Sequence, residues 1–245
     1  MRAGVLVLLL LAAGAQAQTA QAARRSGFDD MSPATQALQR DDTLNPATLW
    51  LKDGEQRFAD ECARCHEPKA MRGVAVRYPA FDAASGGPVT LAQRIQRCRV
   101  DFVKQPPWPP EHADALALEV YVANASRGLP IAPPADPRLA PFVEEGRRLF
   151  ETRMGQLDFA CAECHDRHAG GRLGGSTIPQ GHPTGYPIYR LEWQGMGSLE
   201  RRIRNCAAGV RAEPFGWGSK EMVALQLYLM QRAAGMSLET PAVRP

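Results

Sequence analysis

Two tandem, mainly α-helical modules with long loops are what this sequence predicts, and three observations predict them. The stretches CARCH, Cys62 to His66, and CAECH, Cys161 to His165, place the same C-x-x-C-H spacing in each half of the chain. The segments that follow match as well. LAQRIQRC, Leu91 to Cys98, parallels LERRIRNC, Leu199 to Cys206, and ALALEVYVANASRGLPI parallels VALQLYLMQRAAGMSLE with a one-residue slip. Helical spacing leads into both motifs: Gly54, Phe58 and Cys62 share one face, and Gly146 and Phe150 repeat the pair. Self-similarity of this kind marks an internal duplication. The expected organisation is an N-terminal extension over 18–46, a first module over 47–130, a linker over 131–138 and a second module over 139–245.

Each element follows from its residues. Arg2, the apolar run VLVLLLLAAG and the small-residue pattern Ala15-Gln16-Ala17 predict a cleaved signal peptide over 1–17 and a periplasmic product. That run is too short to span a bilayer, and no later segment reaches the ~20 apolar residues that a spanning helix needs. The extension from Arg24 to Pro46 has little apolar periodicity and cannot build a core of its own, so it is expected to lie across a partner or the surface of the modules. In the second module Leu139, Phe142, Val143, Leu149 and Phe150 form an apolar stripe. Leu225, Tyr228 and Leu229 predict a C-terminal helix that packs on the Gly146 to Phe150 helix. The stretch LPIAPPADPRLAP between the modules reads as a semi-rigid linker. The formal charge of +3 falls to about +2 without Arg2, and acidic and basic residues are interspersed, which argues against a nucleic-acid partner.

The chemistry sits in the cysteines. Four of the six belong to the C-x-x-C-H motifs, whose thiols form thioethers to one haem each while the adjacent histidine ligates its iron. Cys62, Cys65, Cys161 and Cys164 are therefore the expected attachment points of two covalent haem c groups, with His66 and His165 as iron ligands. The modules read as class I cytochrome c-like haem domains. Cys98 and Cys206 occupy equivalent places. Either they pair as a disulfide near a pseudo-twofold axis, or each ligates its own module's haem opposite the histidine. Methionine is the usual ligand there, yet none occupies equivalent places in both halves; Met71 and Met196 are expected in loops, and Met222, Met230 and Met236 in or beside the last helix. A thiolate ligand stabilises Fe(III) and lowers the reduction potential. Arg202 and Arg94 each precede a cysteine by one helical turn, where a guanidinium favours the thiolate and can hold an oxyanion, or else pairs with a haem propionate. His112, His168 and His182 read as loop residues. Arg211 adds positive charge without an assigned role.

The lead SGFDDMSPATQALQRDDTLNP, both haem motifs, RIRNCAAGVRAEP and the ending LYLMQRAAGMSLETPAVRP resemble SoxA, the dihaem subunit family of the SoxAX cytochromes of bacterial sulfur oxidation. The likeness covers nearly the whole mature chain. Some members lack the first haem; this sequence keeps Cys62, Cys65, His66 and Cys98, so it resembles the dihaem type. The resemblance implies that His165 and Cys206 are the axial ligands of the active-site haem, with Cys206 catalytic and carried as a persulfide, and that Arg202 binds the anionic substrate. His66 and Cys98 would ligate a first haem lying off the electron path. The implied reaction joins thiosulfate to a cysteine of the carrier protein SoxY of SoxYZ, an L-cysteine S-thiosulfotransferase activity. Its two electrons would leave through a SoxX-like monohaem cytochrome subunit in a heterodimer, and from there to a downstream electron-accepting cytochrome. Two other readings stand beside it: a thiosulfate dehydrogenase that forms tetrathionate, and a dihaem cytochrome that only carries electrons.

Overall fold

The computed structural model describes residues 23–245, so the leader expected over 1–17 lies outside the described residues. The N-terminal extension contains a helix that its sparse apolar pattern does not announce. Ser32 caps α1 (Pro33–Arg40) by accepting from the Thr35 amide at 3.2 Å, and Pro33 suits a first helical turn that needs no amide donor. The extension is held by buried polar side chains. Gln39 accepts from the Val243 amide at 3.0 Å, and Asn45 donates to the Pro241 carbonyl at 3.0 Å, so it is stapled to the C-terminal end of the chain.

In the first module α2 (Ala47–Glu61) runs into the first C-x-x-C-H turn. A hairpin of β1 (Ala80–Asp82) and β2 (Gly87–Val89) follows, then α3 (Leu91–Cys98) and α4 (Ala113–Asn124). The start of α3 is a capping box in which Thr90 and Gln93 each bond the other's amide, and α4 is capped by His112, whose ring accepts from the Asp114 amide at 3.2 Å. His112 is thus a helix cap, stacked 5.9 Å from Trp108, where a loop residue was expected.

The second module repeats the plan with α5 (Ala140–Glu151), a short hairpin of β3 (Arg172–Leu173) and β4 (Ser176–Thr177), a hairpin of β5 (Ile188–Arg190) and β6 (Gly195–Gly197), then α6 (Leu199–Gly209) and α7 (Lys220–Arg232). The last strand, β7 (Ala242–Arg244), pairs in parallel with β5 in a sheet of order β6-β5-β7. None of these two- and three-residue strands was expected. Met196, expected in a loop, is a buried residue of β6, because the β5–β6 hairpin packs it with Ala47, Leu116 and Val120 of the first module.

Both modules turn on a helix crossing at glycine. A Cβ on Gly54 would stand 2.0 Å from the Ala117 carbonyl oxygen of α4, and one on Gly146 would stand 2.1 Å from that of Ala224 in α7. This is the packing expected between the Gly146 to Phe150 helix and the C-terminal helix. Phe58 and Phe150 are fully buried beside these crossings, each worth roughly 1.5–3 kcal/mol of apolar burial. Pro130 and Ser237, which follow α4 and α7 at matching positions, face each other across an antiparallel bridge. Its hydrogen bonds come in symmetric pairs: Ile131 N to Met236 O at 2.8 Å with Leu238 N to Leu129 O at 2.9 Å, and Gly128 N to Leu238 O at 2.8 Å with Gly235 N to Ile131 O at 2.7 Å. A pseudo-twofold axis therefore runs through this bridge. The Pro-rich stretch between modules is anchored at its start, where Ile131 is 1% exposed.

Candidate active site

Three cysteines converge in each module, and in the second a histidine joins them. In the first, Cys62 follows directly on α2, Cys98 ends α3, and Cys62, Cys65 and Cys98 lie close enough to act on one another electrostatically. In the second, Cys206 sits on α6 and bears likewise on Cys161 and Cys164. All six cysteines are described and all are free, so no Cys98 to Cys206 disulfide forms.

The second site is the better organised. His165 shares a hydrogen bond of 2.7 Å between Nδ1 and the Pro179 carbonyl, which fixes the ring and leaves its other nitrogen, Nε2, to meet Cys206. Gly181, at φ +72°, is needed beside it, since a Cβ there would stand 3.1 Å from His165 Cγ. Glu163 braces the motif turn with ion pairs to Arg153 at 2.6 Å and Arg167 at 2.9 Å, and Arg232 reaches from α7 to Asp166 at 2.6 Å. The insertion before the motif docks on the end of α6: the Leu157 and Gln156 amides donate to the Val210 and Arg211 carbonyls at 3.3 Å. Gly155 is required there because a Cβ would stand 2.2 Å from Val210 O. In the first module His66 is exposed, and no side-chain hydrogen bond anchors its ring among the described residues.

The two unmatched cysteines differ electrostatically. Burial pushes the Cys206 thiol up, but the hydrogen bond of His165 and the charges of Arg202 and Arg190 outweigh it and hold it below the ordinary thiol value. Burial also pushes Cys98 up, and Arg94 does not overcome it, so Cys98 stays above that value. The donor set fits a c-type haem in each module: two thiols in the C-x-x-C spacing, the adjacent imidazole, anchored through Nδ1 at the second site, and a thiol on a neighbouring helix.

A family model of the SoxA/TsdA cytochrome c domain matches residues 47–131 and 145–238, one segment per module. The chain belongs to the SoxA/TsdA cytochrome c domain family. Among curated SoxA/TsdA relatives, the L-cysteine S-thiosulfotransferase subunit SoxA of Pseudaminobacter salicylatoxidans is 34% identical, over 89% of this chain and 80% of its own length. That of Rhodovulum sulfidophilum is 33% identical over 90% of this chain and 80% of its own. A crystal structure of SoxXA from P. pantotrophus is similar at a TM-score of 0.87 and 30% identity, covering 91% of this chain and 87% of that one. As a SoxA/TsdA cytochrome c domain pair, the chain carries the motifs for covalent haem. Among the described residues no helix is long and apolar enough to cross a membrane.

Cys206 and Arg202, singled out from the sequence as candidates, lie together at this site, whereas Arg190, Asp82 and the Pro179 carbonyl, which bear on Cys206, Arg94 and His165, were not singled out. For the first two a signal was present: YPAFD ends at Asp82 and YPIYR ends at Arg190, at the same distance before the two Arg-x-x-x-Cys helices.

Proposed function

We propose that this chain is the SoxA-like dihaem subunit of a periplasmic L-cysteine S-thiosulfotransferase. Its activity joins thiosulfate to a cysteine of a SoxYZ-type carrier. The observation that carries the reading is the arrangement around Cys206, whose thiol faces the anchored His165 and is acted on by two arginines. Arg202 has no acidic partner among the described residues and is free to take an anion. The names of the SoxA relatives support the same activity, and the likeness to a SoxXA structure supports a heterodimer with a SoxX-like monohaem cytochrome.

In the proposed roles, Cys62 and Cys65 hold one haem and Cys161 and Cys164 the other, with His66 and Cys98, and His165 and Cys206, as iron ligands. The haem supplies the electron acceptor. The chain's residues do the rest. Arg202 holds the sulfonate end of thiosulfate through charge-assisted hydrogen bonds. Cys206, carried as a persulfide, marks where the outer sulfur of thiosulfate and the carrier thiol meet. The balance is carrier–SH plus thiosulfate giving carrier–S–S–SO3−, one proton and two electrons: one S–S bond forms, the S–H bond breaks, and the electrons leave through the partner cytochrome to a downstream acceptor.

The test is incubation of the native complex with thiosulfate, with and without the carrier, followed by mass spectrometry of both proteins. Conjugation of the carrier cysteine, two haems on this chain and an added sulfur at Cys206 are expected. Haem reduction with tetrathionate accumulating in the absence of any carrier would replace this reading with a thiosulfate dehydrogenase.

A further inference from the structure

The loop that orients His165 is longer than its counterpart in the first module, and the N-terminal extension lies against it. His66 stands 12 residues before Tyr78, whereas His165 stands 21 before Tyr186, and each tyrosine opens the matching Tyr-Pro stretch. The longer loop carries the β3–β4 hairpin, then Pro179, whose carbonyl meets the His165 ring, and Gly181, which packs on that ring. A backbone carbonyl orients a ligand only as well as its own loop is fixed, and a longer loop has more conformational freedom to lose.

Two anchors fix this loop. On one side Arg25 uses both of its backbone groups: its amide donates to Gln180 Oε1 at 2.7 Å, and its carbonyl accepts from His182 Nδ1 at 2.8 Å. Gln180 Nε2 also donates to the Ala23 carbonyl at 3.3 Å. The residues on either side of Gly181 are therefore both tied to the extension. On the other side Arg232 of α7 donates to the Gln180 carbonyl at 3.2 Å and pairs with Asp166, next to His165, at 2.6 Å, so one guanidinium joins the two ends of the loop. The extension reaches this anchor as well, because Arg24 donates to the carbonyls of Arg232 at 3.3 Å and Ala234 at 2.7 Å. The first module lacks these parts. Gly54 faces Ala117 and Tyr121 as Gly146 faces Ala224 and Tyr228, a correspondence that sets Ala125 in the place of Arg232. His66 is exposed, and among the described residues no side-chain hydrogen bond holds its ring.

We propose that the N-terminal extension is a working part of the second haem site: Ala23, Arg24 and Arg25, through Gln180, His182 and Arg232, position the loop whose Pro179 carbonyl holds His165. Gln180, His182 and Arg24 are positioning residues, which act on the haem only through His165. This goes beyond the thiosulfotransferase reading and needs only His165 as an iron ligand. A hydrogen bond from Nδ1 to a carbonyl strengthens the imidazole as a donor and favours Fe(III), so a loosened loop raises the reduction potential of this haem and leaves the first haem unchanged.

The experiment uses the haem-loaded complex with its partner cytochrome. Each haem's reduction potential is measured by spectroelectrochemical titration and its ligand field by electron paramagnetic resonance, for wild type, a chain lacking residues 18–25 with the leader retained, Arg24→Ala, Gln180→Ala and Gln180→Glu. The truncation and Gln180→Ala should raise the second haem's potential and shift its resonance, with the first haem and the haem count unchanged, and Arg24→Ala should do so to a smaller degree. Gln180→Glu keeps an oxygen for the Arg25 amide and should stay close to wild type. The point variants decide the question if the truncated chain is exported or loaded poorly. A second haem unchanged in Gln180→Ala, equal shifts at both haems, or a change in Gln180→Glu as large as in Gln180→Ala would overturn the brace and leave the proposed function standing. A wild-type complex that does not conjugate thiosulfate, with the variant shifts present, would remove that function and leave the brace.

Discussion

Replacing Gly146 by alanine adds one methyl group at the tightest point of the second module. Its Cβ would stand 2.1 Å from Ala224 O, 2.7 Å from Tyr228 Cβ and 2.8 Å from Ala224 C, whereas real Cβ atoms keep at least 3.0 Å from such neighbours. The opposing oxygen belongs to helix backbone and cannot swing aside, so α5 and α7 must part by about 1 Å, a gap at which contacting atoms lose a quarter to a half of their dispersion energy. Phe150, Leu225 and Leu229 pack at this seam. Overpacking of this kind costs ~1–3 kcal/mol, and loosening a buried cluster adds to it, while alanine regains ~1 kcal/mol of helix propensity over glycine. The net expectation is a loss of ~2–3 kcal/mol, or ~5–10 °C in Tm for a chain of this size. Circular-dichroism melts of the haem-loaded variant, with haem content as a check on assembly, measure it. Gly209→Ala on α6 is the control: nothing lies within 4 Å of its added Cβ, so it should melt at or slightly above wild type. A Gly146→Ala protein that melts like the Gly209→Ala protein would refute the close crossing.

Cys206→Ala should retain both covalent haems, because Cys161 and Cys164 hold the second one independently, yet abolish carrier conjugation; Cys98→Ala should change the first haem's spectrum and keep much of the activity. Normal turnover by Cys206→Ala with a dead Cys98→Ala would move the active site to the first module. Arg202→Ala should weaken thiosulfate use by roughly 1.5–3 kcal/mol, seen as a raised KM with haem content intact. Glu119 lines a cavity of about 610 Å3 between the modules, and burial, then the charges of Glu111 and Glu200, push its carboxyl up to about 8. A raised carboxyl contributes stability that is full below its unfolded value near 4.5 and is lost as pH rises through about 8. Glu119→Gln should therefore melt higher than wild type at pH 9 and like it near pH 4; equal melting at both would sink this reading.

What the sequence determined by itself was whatever is encoded at short range. The C-x-x-C-H spacing is local covalent chemistry, the Gly54/Phe58 and Gly146/Phe150 pairs are one turn of helix apart, and the duplication is read by laying one half on the other. Cys206 and Arg202 became candidates for the same reason, since four residues on a helix place two side chains on one face. Tertiary structure decided the remainder, because those contacts join residues far apart in the chain. The extension's helix is held by Gln39 and Asn45 bonding to the C-terminal strand and the proline before it, and β7 pairs with β5 across the helices α6 and α7 that separate them. No periodicity within two- or three-residue strands could announce that pairing. His165 is oriented by a carbonyl from a separate loop, and a backbone carbonyl carries no residue signature. The difference between the two cysteines was also settled in three dimensions. Arg94 and Arg202 are the same residue at the same helical position, but Asp82 on a neighbouring hairpin neutralises the first, while Arg190 in its place reinforces the second. The charge that reaches a thiol depends on which side chains pack against it, and packing is a property of the fold.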